Sequence, residues 1–153
     1  MYVGVVDGPS TSELRRSVLR PHWPVGSVMH GDEEPSALHV AAVENGEPVC
    51  ACVLFLRPYP HRPDIEPAWQ LRGMATRADR RSTGLGGAVL AAMVDELRNR
   101  GAALVWCEAR ETAADFYRRN GFVAEGVRYL HSESGLPHFM MFRELSDPAT
   151  SSH

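Results

Sequence analysis

Residues 71–90, LRGMATRADRRSTGLGGAVL, decide how this chain folds. An extended run reaching Thr76 meets a turn rich in glycine at Gly84, Gly86 and Gly87, and from there apolar residues recur at helical spacing: Leu85, Val89, Leu90, Met93, Val94 and Leu97. The stretch therefore reads as strand, turn and helix, the helix running from about Gly84 to Arg100 and closing on a basic last turn and Gly101. The turn has the chemistry of an anion site. Its glycines let the backbone approach a ligand, and the unpaired amides and dipole of a helix N-terminus attract negative charge. Arg77, Arg80 and Arg81 stand just upstream, where they would add charge around a phosphate. The pattern from Arg81 to Gly86 has three fixed positions and by itself also fits a surface turn with solvated arginines.

Outward from this turn, Ala103 to Cys107 is a continuous apolar run of the kind buried on both faces, so it is expected to lie parallel to the strand that ends at Thr76. A short helix over Glu111–Asn120 closes on Gly121, and two last strands, Phe122–Leu130 and Phe139–Leu145, turn around Ser134-Gly135. Upstream, Leu38–Val43 and Val49–Leu56 flank Asn45-Gly46, a pair that favours a tight hairpin. Tyr2–Val6 reads as the first strand. Ser10 and Glu13 then have capping-box spacing before a helix that Pro21 ends. The order is an α+β fold: a central mixed, mostly antiparallel sheet of about seven strands flanked by helices. Residues 1–145 are expected to form one domain and 146–153 a disordered tail.

The 153 residues are 44% apolar and 23% charged, the profile of a soluble globular domain. All 16 basic residues are arginine. The absence of lysine excludes a Walker A loop, a pyridoxal phosphate Schiff base and any lysine nucleophile. With 19 acidic residues there is no basic excess of the kind nucleic-acid binding needs. Cys50, Cys52 and Cys107 cannot all pair and have no CxxC or HxxxH companions, so buried reduced thiols are expected rather than a metal site. The N-terminus lacks a signal-peptide pattern and no run of about 18 apolar residues exists, which makes the expected location cytoplasmic, without membrane contact.

Thirty residues beyond the glycine turn stands ALVWCEARETAADFYRRNGF, residues 103–122: a strand ending near Glu108, a helix carrying Phe116 and Tyr117, and the turn Asn120-Gly121-Phe122. Taken together, the two motifs resemble the GNAT superfamily of N-acetyltransferases, over about Trp69 to Phe122. The resemblance implies acetyl-CoA as cosubstrate, no metal, and direct attack by a primary amine of a small molecule or peptide on the acetyl thioester. Arg81, Ser82, Thr83, Gly84, Leu85 and Gly86, with Gly87 beside them, match the family's pyrophosphate loop. Met74, Ala75 and Thr76 match the strand whose main chain pairs with the pantetheine arm, where that strand and its parallel neighbour splay apart. Tyr117 matches the general acid that protonates the leaving thiolate, with Ala113 and Phe116 lining the same cleft. The amide near Met74 is the implied oxyanion donor.

For the general base Glu108 comes first, with Glu66, Glu111 and His138 as further options and a carboxylate bonded to Arg110 or the backbone as the structural reading of Glu108. The acceptor side would be built by the loop carrying His22, Trp23, His30 and the acidic run Asp32–Glu34, which either attracts a cationic amine or is simply solvated. The family's pairing through edge strands or C-terminal hairpins makes a homodimer through the apolar run Phe139–Phe142 an expectation. A catalytically silent CoA-binding module of the same fold, or a nucleotide-binding protein of another class, remain the competing readings.

Overall fold

A computed structural model describes residues 1–29 and 31–145; the tail expected to be disordered and His30 lie outside the described residues. Seven strands make one sheet in the order β1-β2-β3-β4-β5-β7-β6, with β1 Tyr2–Val6, β2 Leu38–Glu44, β3 Glu47–Leu56, β4 Ala68–Thr76, β5 Leu104–Arg110, β6 Val123–Leu130 and β7 Pro137–Glu144. The helices are α1 Ser12–Leu19, α2 Leu85–Asn99 and α3 Ala114–Arg119. Every neighbouring pair is antiparallel except β4 and β5, as the apolar run after α2 implied. Asn45 and Gly46 both take positive φ, 52° and 76°, the signature of the tight hairpin turn between β2 and β3.

Strand alternation divides the core between the two faces. Val40, Cys50, Cys52, Val105 and Cys107 pack with Val89, Leu90 and Met93 of α2 and with Ala114 and Tyr117 of α3. Ala41 and Ala51 point the other way and meet Leu14 of α1. Removing each of Val89, Leu90 and Met93 from water is worth roughly 1.5–3 kcal/mol, so the amphipathic stripe of α2 is the main force holding it to the sheet. The three cysteines are buried and free, and burial pushes each thiol up.

Two local expectations change. Ser10 does not cap α1: a 3₁₀ turn, Pro9–Thr11, precedes the helix, and the Asp7 carboxylate accepts the Ser10 amide at 2.8 Å. Glu13 pairs with Arg16 at 2.6 Å instead of reaching back. Likewise β5 runs three residues past the end of its apolar run, because Glu108 and Arg110 point to an exposed face while β7 keeps pairing through Arg110 and His138. The run Phe139–Phe142 lies inside the sheet between β5 and β6, with Met141 and Phe142 buried, and the sheet edges are β1 and β6.

A split between parallel strands as the candidate active site

β4 and β5 are paired only at Ala68 with Leu104, Trp69 with Val105 and Gln70 with Trp106. Beyond this point they part: β4 continues to Thr76 against β3, and β5 continues to Arg110 against β7. A bulge drives the divergence. Gly73 and Met74 together stand opposite the single residue Cys52, and Gly73 has φ +61°, a conformation that suits glycine and kinks the strand. The cleft so opened leaves one edge of β4 without a strand partner.

Two cavities occupy the split and share Met74. The one toward the glycine turn is about 700 Å³ and is lined by Thr76, Arg81, Ser82, Gly84, Gly86 and Phe116 among others. Gly84 takes φ +84° as the N-cap of α2, and no side chain caps the helix, so its first amides face this space. Gly86 has no room for a side chain, since a Cβ there would stand 2.9 Å from the Phe116 ring. Arg81 and Arg119 line the cavity without an ion-pair partner among the described residues. Amides, a helix dipole and two unpaired guanidiniums around a glycine cradle make a site for a polyanion such as a diphosphate.

The second cavity, about 350 Å³, is lined by Gly73, Met74, Glu108, Ala113, Tyr117 and His138 among others, and it adjoins a wetter space of about 590 Å³ that also reaches Gln70, His131 and Glu133. Tyr117 is 7% exposed, and its hydroxyl has no hydrogen bond among the described residues. Burial, with the neighbouring thiols Cys107, Cys52 and Cys50, pushes its phenol well above the usual range. Glu108 accepts a 2.7 Å hydrogen bond from the Tyr129 hydroxyl and lies 3.6 Å from Nε2 of His131. The His131 and His138 rings lie 4.6 Å apart between centroids, tilted by 34°. Nδ1 of His138 donates to the Leu136 carbonyl at 2.9 Å, so in the neutral ring Nε2 holds the free lone pair, and His138 lines both spaces.

The sequence pattern of the Acetyltransferase (GNAT) family matches residues 9–122 of this chain. The chain belongs to that family. An uncharacterized N-acetyltransferase of Bacillus subtilis (strain 168), YitI, is 24% identical over 146 residues, covering 95% of this chain and 97% of the relative. Among solved structures, aminoglycoside 6'-acetyltransferase type Ii superposes with a TM-score of 0.77 at 20% identity, over 96% of this chain and 99% of the other. An aminoglycoside 6'-N-acetyltransferase complexed with coenzyme A gives 0.75 at 18%, over 96% and 98%. The ribosomal-protein-S18-alanine N-acetyltransferase of Escherichia coli gives 0.72 at 19%, over 95% and 94%. The chain thus pairs membership of the acetyltransferase (GNAT) family with the fold of these structures, and no helix among its described residues is long and apolar enough to cross a membrane.

In this GNAT chain, most of the residues singled out from sequence line the split, and some do not. Arg81, Ser82, Gly84, Leu85, Gly86, Gly87, Met74, Thr76 and Phe116 line the glycine-turn cavity. Thr83 turns its hydroxyl back to the Arg80 carbonyl, and Ala75 is buried opposite Ala51; neither lines a cavity, though Ala75 belongs to the open strand. Arg77 pairs with Asp79 at 2.6 Å and stays outside the cavity, while Arg80 lines it but pairs with Glu44. Glu66 lies in a separate pocket beside Pro67, and Glu111 pairs with Arg128 at 2.7 Å.

Asp32 does not greet an acceptor: buried, it accepts bonds from Arg15, Ser12 and the Met29 amide, tying the long loop to α1. Glu34 stands 3.7 Å from Arg57. Arg119, Gly73 and His131 also line the split and Tyr129 donates to Glu108 there, and none of the four is among the residues singled out from sequence. Arg119 sits three residues after Phe116 and so on the same helix face, and a glycine inside a strand is a bulge signal, so both were findable. No local pattern marks the partners of Glu108, which meet it across the sheet.

Proposed function

We propose that this protein transfers the acetyl group of acetyl-CoA to a primary amine by direct attack. The observation that carries this reading is the single opening between β4 and β5 that joins, through Met74, an anion cradle to a chamber holding Tyr117 and His138. Acetyl-CoA supplies the thioester. The cradle suits its diphosphate: free α2 amides, Arg81 and Arg119 bind the charge, and Gly86 keeps the passage beside Phe116 clear. The unpartnered edge of β4 from Leu71 to Thr76 offers main-chain groups to an extended amide-bearing arm, as an added strand would take them.

An amine has a pKa near 10 and must lose a proton before it attacks. Glu108 holds the ammonium form by charge, and Nε2 of His138, whose lone pair the Leu136 bond leaves free, takes the proton directly or through water. As nitrogen bonds to the acyl carbon, the amide at the Met74 bulge faces the charge growing on the oxygen. The carbon–sulfur bond then breaks, Tyr117 protonates the thiolate, and the extra proton left on nitrogen passes through water to the Tyr117 phenolate, giving the N-substituted acetamide and free CoA thiol. Burial that raises the phenol also raises the thiolate in the same dry chamber, which keeps this transfer close to balanced.

The test has two readouts. Acetyl-CoA is expected to raise the melting temperature while ATP and NAD leave it unchanged, and a panel of amines is expected to include acceptors that release thiol. Stabilisation with no release from any amine would favour a silent CoA-binding protein, and no stabilisation by acetyl-CoA would end the reading.

A further inference from the structure

The walls of the acceptor chamber carry a pattern of charge that selects among amines. Arg20 from the end of α1 and Arg110 from β5 line both acceptor-side spaces, as does Arg72 of β4, which has a partner of its own; among the described residues the lining carboxylates are Glu108 and, in the wetter space, Glu133. A fourth guanidinium, Arg15, is already matched by Asp32. Of the acidic loop, Asp32 is tied to Arg15, Glu34 stands beside Arg57 and Glu33 is exposed, and none of the three lines the chamber. A cleft with an excess of guanidinium repels a polycation and concentrates anions, so this chamber is ill suited to the multiply charged acceptors named in the aminoglycoside neighbours.

Within that field two opposite charges are set side by side. Glu108 and Arg110 are two residues apart on β5, hence on one face and about 6.8 Å apart along the strand. They do not pair with each other: Glu108 is held by Tyr129 and His131, and Arg110 has no ion-pair partner among the described residues. Arg110 is also directly opposite His138 in the ladder with β7. A ligand whose ammonium and carboxylate sit on neighbouring carbons can meet both at once, the ammonium at Glu108 and the carboxylate in the planar fork of Arg110, with the amine beside His138. Trp23, Leu19 and Met29 give the same chamber an apolar wall.

Resting on the acetyl-transfer reading for the fate of the amine, we propose that the acceptor is a zwitterionic α-amino acid with an apolar side chain, its carboxylate bound by Arg110. The experiment reads binding and turnover separately. Melting temperatures of the 153-residue chain are measured with leucine, methionine and phenylalanine, with their carboxamides and with kanamycin, and thiol release from acetyl-CoA is followed for each. At least one acid is expected to stabilise the protein and to have an apparent affinity at least tenfold above its amide; Arg110→Gln erases that difference and Arg110→Lys keeps part of it.

A normal acetyl-CoA-induced shift in each variant reports that it has folded. Amides that bind as well as acids, kanamycin binding more tightly than either, or no shift with any acid would each overturn the proposal. If acids bind selectively through Arg110 but none releases thiol, the binding site stands and the acetyl-transfer reading falls.

Discussion

Gly86 in α2 and Phe116 in α3 meet so closely that a Cβ on Gly86 would lie 2.9 Å from the phenyl ring. The contact couples two motifs thirty residues apart, because Phe116 is also the wall of the anion cavity beside Met74. Gly86→Ala gains about 1 kcal/mol of helix propensity but forces the ring aside at a typical overpacking cost of about 1–3 kcal/mol. The melting temperature is therefore expected to move little while acetyl-CoA affinity falls several-fold. Adding Phe116→Leu to Gly86→Ala should recover part of that affinity; isothermal titration of the single and double variants measures both.

Arg81 and Arg77 offer a matched comparison. Arg81 lines the cavity unpaired, whereas Arg77 is occupied by Asp79 outside it. A charge-assisted hydrogen bond is worth roughly 1.5–3 kcal/mol. Arg81→Ala should accordingly weaken acetyl-CoA binding about tenfold or more, with a shallower salt dependence, and Arg77→Ala should leave it near the parent value. Equal losses from the two would move the diphosphate away from the turn.

For Tyr117, removing the hydroxyl alone is the informative change. Tyr117→Phe keeps the ring that packs against Phe122 at 5.4 Å between centroids, so the fold should persist. A general acid typically contributes 10²–10⁴-fold, and kcat is expected to drop about a hundredfold with acetyl-CoA affinity unchanged. Because burial holds this phenol protonated well beyond its ordinary range, the parent rate should show no loss from Tyr117 ionisation up to pH 10. An unchanged kcat in the variant would remove Tyr117 from the chemistry.

His39 makes stability depend on pH. It is 5% exposed, its Nδ1 has no hydrogen-bond partner, and burial followed by the charge of Arg15 lowers its pKa below 6.5. The folded protein keeps this ring neutral while the unfolded chain takes up a proton near pH 6.5, so the unfolded state binds more protons and stability falls as pH drops below that point. Asp32 adds a second loss at lower pH. Burial works to raise its carboxyl, and the bonds from Ser12, Arg15 and Met29 together outweigh it, so that stabilisation disappears as the pH falls below 3.8. Thermal melts from pH 7.5 to 5.5 should slope downward, and His39→Gln should flatten that limb.

Much of this molecule was legible in local pattern, for a definite reason. The period of α2, the apolar run of β5 and the Asn45-Gly46 turn are set by forces acting within a few residues, which is why element order, the parallel crossover and the position of the glycine cradle followed from spacing alone. The cradle's own residues, Gly84 to Gly87, and its helix amides come from one continuous segment, so Arg81 and Gly86 could be named without a structure. The acceptor side could not be read that way. Glu108 finds Tyr129 and His131 across three strands, Arg110 faces His138 only once β5 and β7 are in register, and Asp32 is withdrawn from the chamber by Arg15 on another element.

The sequence by itself thus determined a mixed sheet with a lysine-free glycine turn at the head of a helix, because backbone amides and helical periodicity are local properties. Only the tertiary structure decided which arginines and carboxylates around the cleft pair with one another. That outcome depends on side chains meeting across the sheet, where an arginine paired with a carboxylate and one left open are indistinguishable in one dimension.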